Sequence, residues 1–136
     1  MLFIFGEIDC REGILVAVEK DRYGSVSEGM TATQTHYLNT LKALSAAKRL
    51  DCLVHPIVPV LDETRAIVQQ YNALLEAAVK RLAHPSVRWV DGVFDGLLTA
   101  GSLPMLRDEF KLDGTHLHPD YVTSLLAPSL VALLGE

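Results

Sequence analysis

Leu2-Phe-Ile-Phe5, followed at once by Gly6, is a continuous apolar run near the start of the chain. A run this short and this apolar, stopped by glycine, predicts a buried β-strand. Two further runs of the same character, 53–58 and 87–90, predict a second and a third strand. Pro56 lies within the second run and cannot donate to a β-ladder, so we expect a bulge or an early strand end there.

Helical periodicity fills the stretches between and after these runs. Helices are predicted over residues 12–20, 28–49, 63–82, 94–98 and 119–134. Ser25-x-x-Glu28 resembles a capping box before the second helix, and Asp62 is expected to cap the third. Strands that alternate with helices predict an α/β domain, 1–136, with a parallel sheet and helices on both of its faces.

Composition narrows the classes of function. The chain has 136 residues with a net charge of −5 and shows no basic patch, which argues against nucleic-acid binding. Its apolar runs are too short for a membrane span. Cys10 and Cys52 are too few for a disulfide scaffold, so buried or partly buried free thiols in a cytoplasmic protein are expected.

Polar residues with catalytic character are predicted at one rim of the sheet. In parallel α/β sheets, ligand-binding and catalytic sites lie at the carboxyl ends of the strands. Residues 6–11 follow the first strand and are therefore expected at this rim. Asp113-Gly-Thr-His116 lies in a late loop that can return to that rim. Asp113 can accept a hydrogen bond from one ring nitrogen of His116, leaving the other nitrogen free as a general base. The pair therefore indicates hydrolysis and requires a nucleophile.

Cys10 is the candidate nucleophile within this chain. A position near a helix N-terminus and beside Arg11 is expected to lower its thiol pKa. The alternative is that Cys10 packs as a small apolar residue beneath the strand. Glu7, Asp9 and Arg11 form a charged cluster that either contacts an anionic substrate or closes the loop through ion pairs.

Histidine and arginine side chains elsewhere have competing interpretations. His118 is expected at the rim of the pocket or as a cap of the last helix, and a metal site with His116 is the weaker alternative. His55, within a strand, is expected to be a hydrogen-bonded core residue. Arg65 is expected on a solvated helix face, with the rim of the site as the alternative.

Two blocks of the chain resemble the SGNH (GDSL-like) hydrolase superfamily. Phe5-Gly-Glu-Ile-Asp-Cys-Arg11 is similar to the signature of one branch, and Asp113-Gly-Thr-His-Leu-His-Pro119 to the superfamily's D-x-x-H block. The resemblance implies a three-layer α/β/α, flavodoxin-like fold that hydrolyses acyl esters, on sugars or lipids, without metal or cofactor. The resemblance also implies that Asp113 and His116 are two members of the superfamily's catalytic triad. The residues it implies for the substrate-binding or oxyanion region are Gly6, Glu7, Asp9 and Arg11.

Two features of that superfamily have no counterpart here. Its nucleophilic serine follows an earlier strand, so the chain is expected to be the C-terminal portion of the fold, truncated at the N-terminus. Ile8 stands where the family has an oxyanion-binding Asn, and loss of one such donor costs on the order of a hundredfold in rate. Strand 2–5 is then an apolar edge, which we expect homo-oligomerisation or the missing segment to cover.

Two hypotheses of function follow from these observations. The first is an SGNH-type ester hydrolase, or the C-terminal part of one, acting on a small-molecule or saccharide-like ester through Asp113 and His116. The second is a catalytically inactive domain of that fold that binds a small molecule or a partner protein.

Overall fold

Three parallel strands form a single sheet in the computed structural model, which describes residues 1–135. The strands, in their order across the sheet, are β1 (Leu2–Ile4), β2 (Cys52–His55) and β3 (Val87–Trp89). Both pairings are parallel, with Leu2 beside Leu53 and Leu53 beside Arg88. The predicted α/β class with a parallel sheet is confirmed.

The helices lie where the periodicity predicted them. They are α1 (Ile14–Glu19), α2 (Val26–Lys48), α3 (Arg65–Leu82), α4 (Val93–Leu97) and α5 (Ala127–Leu134). A π-helical turn, Asp9–Gly13, leads into α1, and a second one, Val122–Leu126, leads into α5. A short 3-10 turn covers Asp108–Phe110.

Local signals set the ends of several elements. Ser25 Oγ accepts a hydrogen bond from the Glu28 N–H at 3.1 Å, which confirms the predicted cap of α2. Asp62 does not cap α3, because the side chain of Asp62 pairs with the guanidinium of Arg65 instead. β2 ends at His55, immediately before Pro56, as the missing N–H of proline predicts.

Alternating side chains of the strands feed two apolar clusters on opposite faces of the sheet. Phe3, Val54 and Trp89 face the cluster that α2 and α3 complete. Leu2 and Leu53 face the second cluster, which α4, the π-helical turn Val122–Leu126 and α5 complete. The sheet is therefore covered on both faces, which leaves its rims and edges as the places where polar side chains can meet solvent.

β1 forms one edge of the sheet, because within residues 1–135 it pairs only with β2. Ile4 and Phe5 keep 51% and 55% of their surface exposed. The predicted apolar edge is confirmed. No helix in this part of the chain has both the length and the hydropathy required to cross a membrane.

Candidate functional site

Asp113 and His116 form the hydrogen-bonded pair that their spacing predicts. His116 Nδ1 lies 2.9 Å from Asp113 Oδ2 and 3.1 Å from Oδ1. The turn that holds them is built by Asp113 itself, whose Oδ1 accepts the backbone N–H of Thr115 at 2.7 Å and of His116 at 2.8 Å. Backbone and side chain therefore fix the carboxylate against the imidazole.

The same contacts keep Asp113 ionised. The hydrogen bond from the Thr115 N–H, followed by that from the His116 side chain, holds the pKa of Asp113 well below its usual range. Side-chain exposure is 51% for Asp113 and 70% for His116, so solvent reaches both groups. Nδ1 faces the carboxylate, and Nε2 of His116 has no hydrogen-bond partner among residues 1–135.

Gly6 turns the chain out of β1 in a conformation that favours glycine. Its φ is +113°, and a Cβ at this position would lie 3.0 Å from the ring of Tyr71 and from one methyl group of Ile57. The Gly6 carbonyl then accepts the Cys10 N–H at 3.0 Å, which closes the first helical turn. The turn therefore requires glycine for both its backbone angle and its close packing.

The two predicted stretches come together around a small cavity of about 70 Å³. Thr115, which lies between the paired residues, borders this cavity together with Glu7 and Arg11. The remaining lining residues are Val58, Val60, Leu61, Thr64 and Val68. The loop of Asp113 and His116 therefore returns to the carboxyl rim of the sheet, beside the turn that leaves β1.

The charged cluster after β1 divides between two environments. Arg11 lies 3.4 Å from Glu7 in a solvent-exposed pair one helical turn apart. Asp9 instead borders an apolar groove on the other side, together with Phe5 and Tyr37. Of the three charged residues, only Glu7 and Arg11 face the loop of His116, and their ion pair is the one that the local alternative predicted.

Cys10 does not have the properties of a nucleophile. Its side chain is completely buried in the cluster between β1, α2 and α3. Burial, and then the charges of Asp9 and Glu7, raise the pKa of the thiol to about 12. The expected lowering is wrong because Arg11 points to Glu7 and desolvation opposes the thiolate. The structure supports the alternative, a small packed side chain.

His118 acts locally at the start of the last helical segment. Its Nδ1 accepts the backbone N–H of Asp120 at 3.3 Å, and its side chain lies 3.4 Å from the Asp120 carboxylate. This is the capping role predicted as one of its interpretations, and His118 does not border the cavity beside Thr115. Within residues 1–135, no three His, Cys, Asp or Glu side chains are grouped as metal ligands would be.

Buried polar residues near the same rim depart from the sequence expectations. Arg65 is buried, with its guanidinium on Asp62 and 3.2 Å from Met105 Sδ, so the predicted solvated face is wrong. His55 is buried, as expected, but only its Nδ1 is hydrogen-bonded, to the Pro56 carbonyl at 2.6 Å, and Nε2 has no partner.

Asn72 is a rim residue that the sequence reasoning missed. Its amide accepts the Ile57 N–H and donates to the Ile57 carbonyl, both at 2.8 Å. These two hydrogen bonds, called here the Asn72 clamp, satisfy the backbone N–H and C=O of Ile57, just after the end of β2. The sequence did carry a signal for this role: Asn72 is a polar residue within the apolar stripe of α3, four positions after Val68.

Unpaired backbone donors lie at the start of the helical segment that follows β1. Ile8 is 67% exposed and its side chain has no polar atom. The backbone N–H groups of Glu7 and Ile8, at the start of the helical segment, have no hydrogen-bond acceptor among residues 1–135. Of these two residues, Glu7 borders the cavity beside Thr115. Comparisons of the chain with protein-family models, with curated proteins and with solved structures gave no match.

Proposed function

We propose that the chain is an ester hydrolase of the SGNH type, with a flavodoxin-like α/β/α fold, in which His116 is the general base. The observation that carries the proposal is the 2.9 Å contact between His116 Nδ1 and Asp113 Oδ2, with Nε2 left free. Asp113 selects the tautomer that bears its proton on Nδ1, so Nε2 presents a lone pair.

In the proposed reaction, Nε2 takes the proton of an attacking hydroxyl as its oxygen adds to the acyl carbonyl. The imidazolium that forms is stabilised by the Asp113 carboxylate, which stays ionised. Nε2 then returns the proton to the leaving alcohol as the ester C–O bond breaks. No serine of residues 1–135 is hydrogen-bonded to Nε2, so the hydroxyl is that of water or of another polypeptide segment.

The negative charge on the carbonyl oxygen needs donors, and the proposal assigns them to the backbone. The unpaired N–H groups of Glu7 and Ile8 lie at a helix start, where the backbone dipoles favour an anion. Arg11, half exposed beside Glu7, is placed to contact an anionic part of a substrate. General-base hydrolysis by this pair requires neither a metal nor a cofactor.

The proposed compartment is the cytoplasm. Cys10 and Cys52 are both free and both buried, which suits a reducing environment. The proposed substrate is a small acyl ester, because the cavity at the rim is small and its border mixes apolar side chains with one ion pair.

A second candidate function is small-molecule or protein binding without catalysis. The observation that favours it is the lack of any hydroxyl partner for His116 Nε2 among the described residues. In that case the hydrogen bonds of Asp113 serve to shape the loop.

Hydrolysis of p-nitrophenyl acetate by the chain and by His116→Ala tests the proposal. Loss of most of the protein-dependent rate in His116→Ala supports general-base catalysis. His36→Ala is the matched control, because His36 is exposed on α2 and free histidines can react with this ester. Equal rates for all three proteins would reject the hydrolase and leave the binding function.

A further inference from the structure

The outer edge of β1 offers unpaired backbone groups. Met1 directs its carbonyl to the Leu53 N–H at 2.8 Å, so alternate residues along the strand bond to β2. By the same alternation, the N–H and C=O groups of Leu2 and Ile4 point away from the sheet. These groups form hydrogen bonds only with water or with another extended backbone.

An apolar groove runs along this edge between β1 and α2. Its volume is about 570 Å³. Phe5 lines it and stacks on Tyr37, with ring centroids 5.3 Å apart. The other lining residues are Phe3, Asp9, Tyr23, Ala32, Thr33, His36, Thr40, Leu41 and Leu44. An apolar surface of this kind beside an open strand edge favours an extended partner over a small ligand.

Opposite charges occupy the two ends of the groove. Asp9 borders it at the carboxyl end of β1. Glu7 does not border the groove, because it pairs with Arg11 on the other side. Lys48 follows Leu44 by one helical turn and is exposed at the amino end of the sheet, next to the exposed Arg49. The edge therefore carries Asp9 at one end and Lys48 with Arg49 at the other, where the carboxylate of Asp51 is paired with Arg88.

We propose that this edge binds the same edge of a second copy of the chain, with the two β1 strands antiparallel. A two-fold axis brings the acidic end of each copy beside the basic end of its partner, whereas parallel pairing places like charges together. The outward groups of Leu2 and Ile4 pair across the axis, and the two sheets become one of six strands. Ile4, half exposed on the face opposite the groove, is covered by the same pairing.

The proposal is independent of the proposed hydrolase, since no residue of the pair in the late loop takes part. Sedimentation equilibrium of the full chain from about 1 to 100 µM measures the mass and a dissociation constant. The expected result is a dimer in this range. Ile4→Lys adds a charge to the edge and is expected to raise the dissociation constant at least tenfold. Val131→Lys is the control, because Val131 is exposed on α5, away from this edge.

A second pair of variants tests the charge arrangement. Lys48→Glu is expected to weaken the dimer. Lys42→Glu is expected to leave it unchanged, because Lys42 is exposed about 120° around α2 from Lys48, off the face that carries Leu44 and Lys48. Circular dichroism checks that each variant is folded. A wild-type chain that remains monomeric at about 100 µM overturns the proposal. So does a dimer that Ile4→Lys, folded, leaves as tight as before.

Discussion

His116 Nδ1 lies 2.9 Å from Asp113 Oδ2, while the backbone N–H of His116 bonds to the other oxygen of the same carboxylate. One side chain therefore sets both the position of the histidine backbone and the direction of its ring. This double role follows from the three-residue spacing, because the carboxylate of an Asp can accept backbone N–H groups two or three residues later, as in an Asx turn.

Asp113→Asn is expected to lower ester hydrolysis strongly. The amide can no longer favour the tautomer with its proton on Nδ1, and it does not stabilise the imidazolium, so we expect kcat to fall about a hundredfold or more. The turn is expected to persist, because the remaining amide oxygen still accepts the Thr115 N–H. Steady-state kinetics with p-nitrophenyl acetate measures the change.

Asp108→Asn provides the matched control for this substitution. Asp108 is an exposed aspartate a few residues earlier, paired with Lys111 at 2.7 Å. An equal loss of activity in both variants would contradict a specific role for Asp113.

Gly6→Ala is expected to destabilise the protein by about 2–4 kcal/mol. Alanine at this position must keep a φ of +113°, which strains its backbone. Its Cβ also lies 3.0 Å from side-chain atoms of Tyr71 and Ile57, so overpacking adds to that strain. Gly101→Ala separates the two causes, because Gly101 has φ +134° but open space around it. Its expected cost is about 1–2 kcal/mol. Urea denaturation of both variants decides, and similar costs would argue against the packing part.

Asn72→Ala is expected to cost about 2–4 kcal/mol of folding free energy. The substitution leaves the buried N–H and C=O of Ile57 without partners, and each such group costs more than a hydrogen bond gains. Asn39→Ala, at an exposed position of α2, is expected to change stability by less than about 0.5 kcal/mol. Thermal unfolding compares the two, and a small effect at position 72 would refute the clamp.

Stability is expected to fall as the pH drops below about 6.5, through His55. Burial, only partly offset by the bond to the Pro56 carbonyl, lowers the pKa of His55 from its ordinary value of 6.5. Below that pH the unfolded chain binds a proton that the folded chain does not, so stability is complete above it and decreases on acidification. Denaturation of the wild type and His55→Gln between pH 5 and 7.5 measures this dependence.

His36→Gln serves as the control for the pH experiment, because His36 is exposed on α2. The expected outcome is a shallower pH dependence in His55→Gln alone. If the wild type and His55→Gln lose stability in parallel over this range, the buried imidazole is not responsible.

The order of strands and helices was determined by local sequence patterns. Apolar runs stopped by Gly6 or Pro56 predicted the strands, and the capping pattern at Ser25 predicted the start of α2, because each signal acts within a few residues. The Asp113–His116 contact belongs to the same class, since a single turn brings both groups together. The open edge of β1 followed from strand order alone.

Only the tertiary structure decided which of these groups meet water and which meet each other. Arg65 was assigned the wrong environment and the thiol of Cys10 the wrong direction of pKa shift, because the residues that contact or bury them, such as Met105 and Tyr71, are distant in sequence. The missing partner of His55 Nε2 could not be predicted for the same reason, because the residues around it are distant in sequence. The pKa of a thiol or an imidazole depends on desolvation by the whole packed core, which no local pattern records.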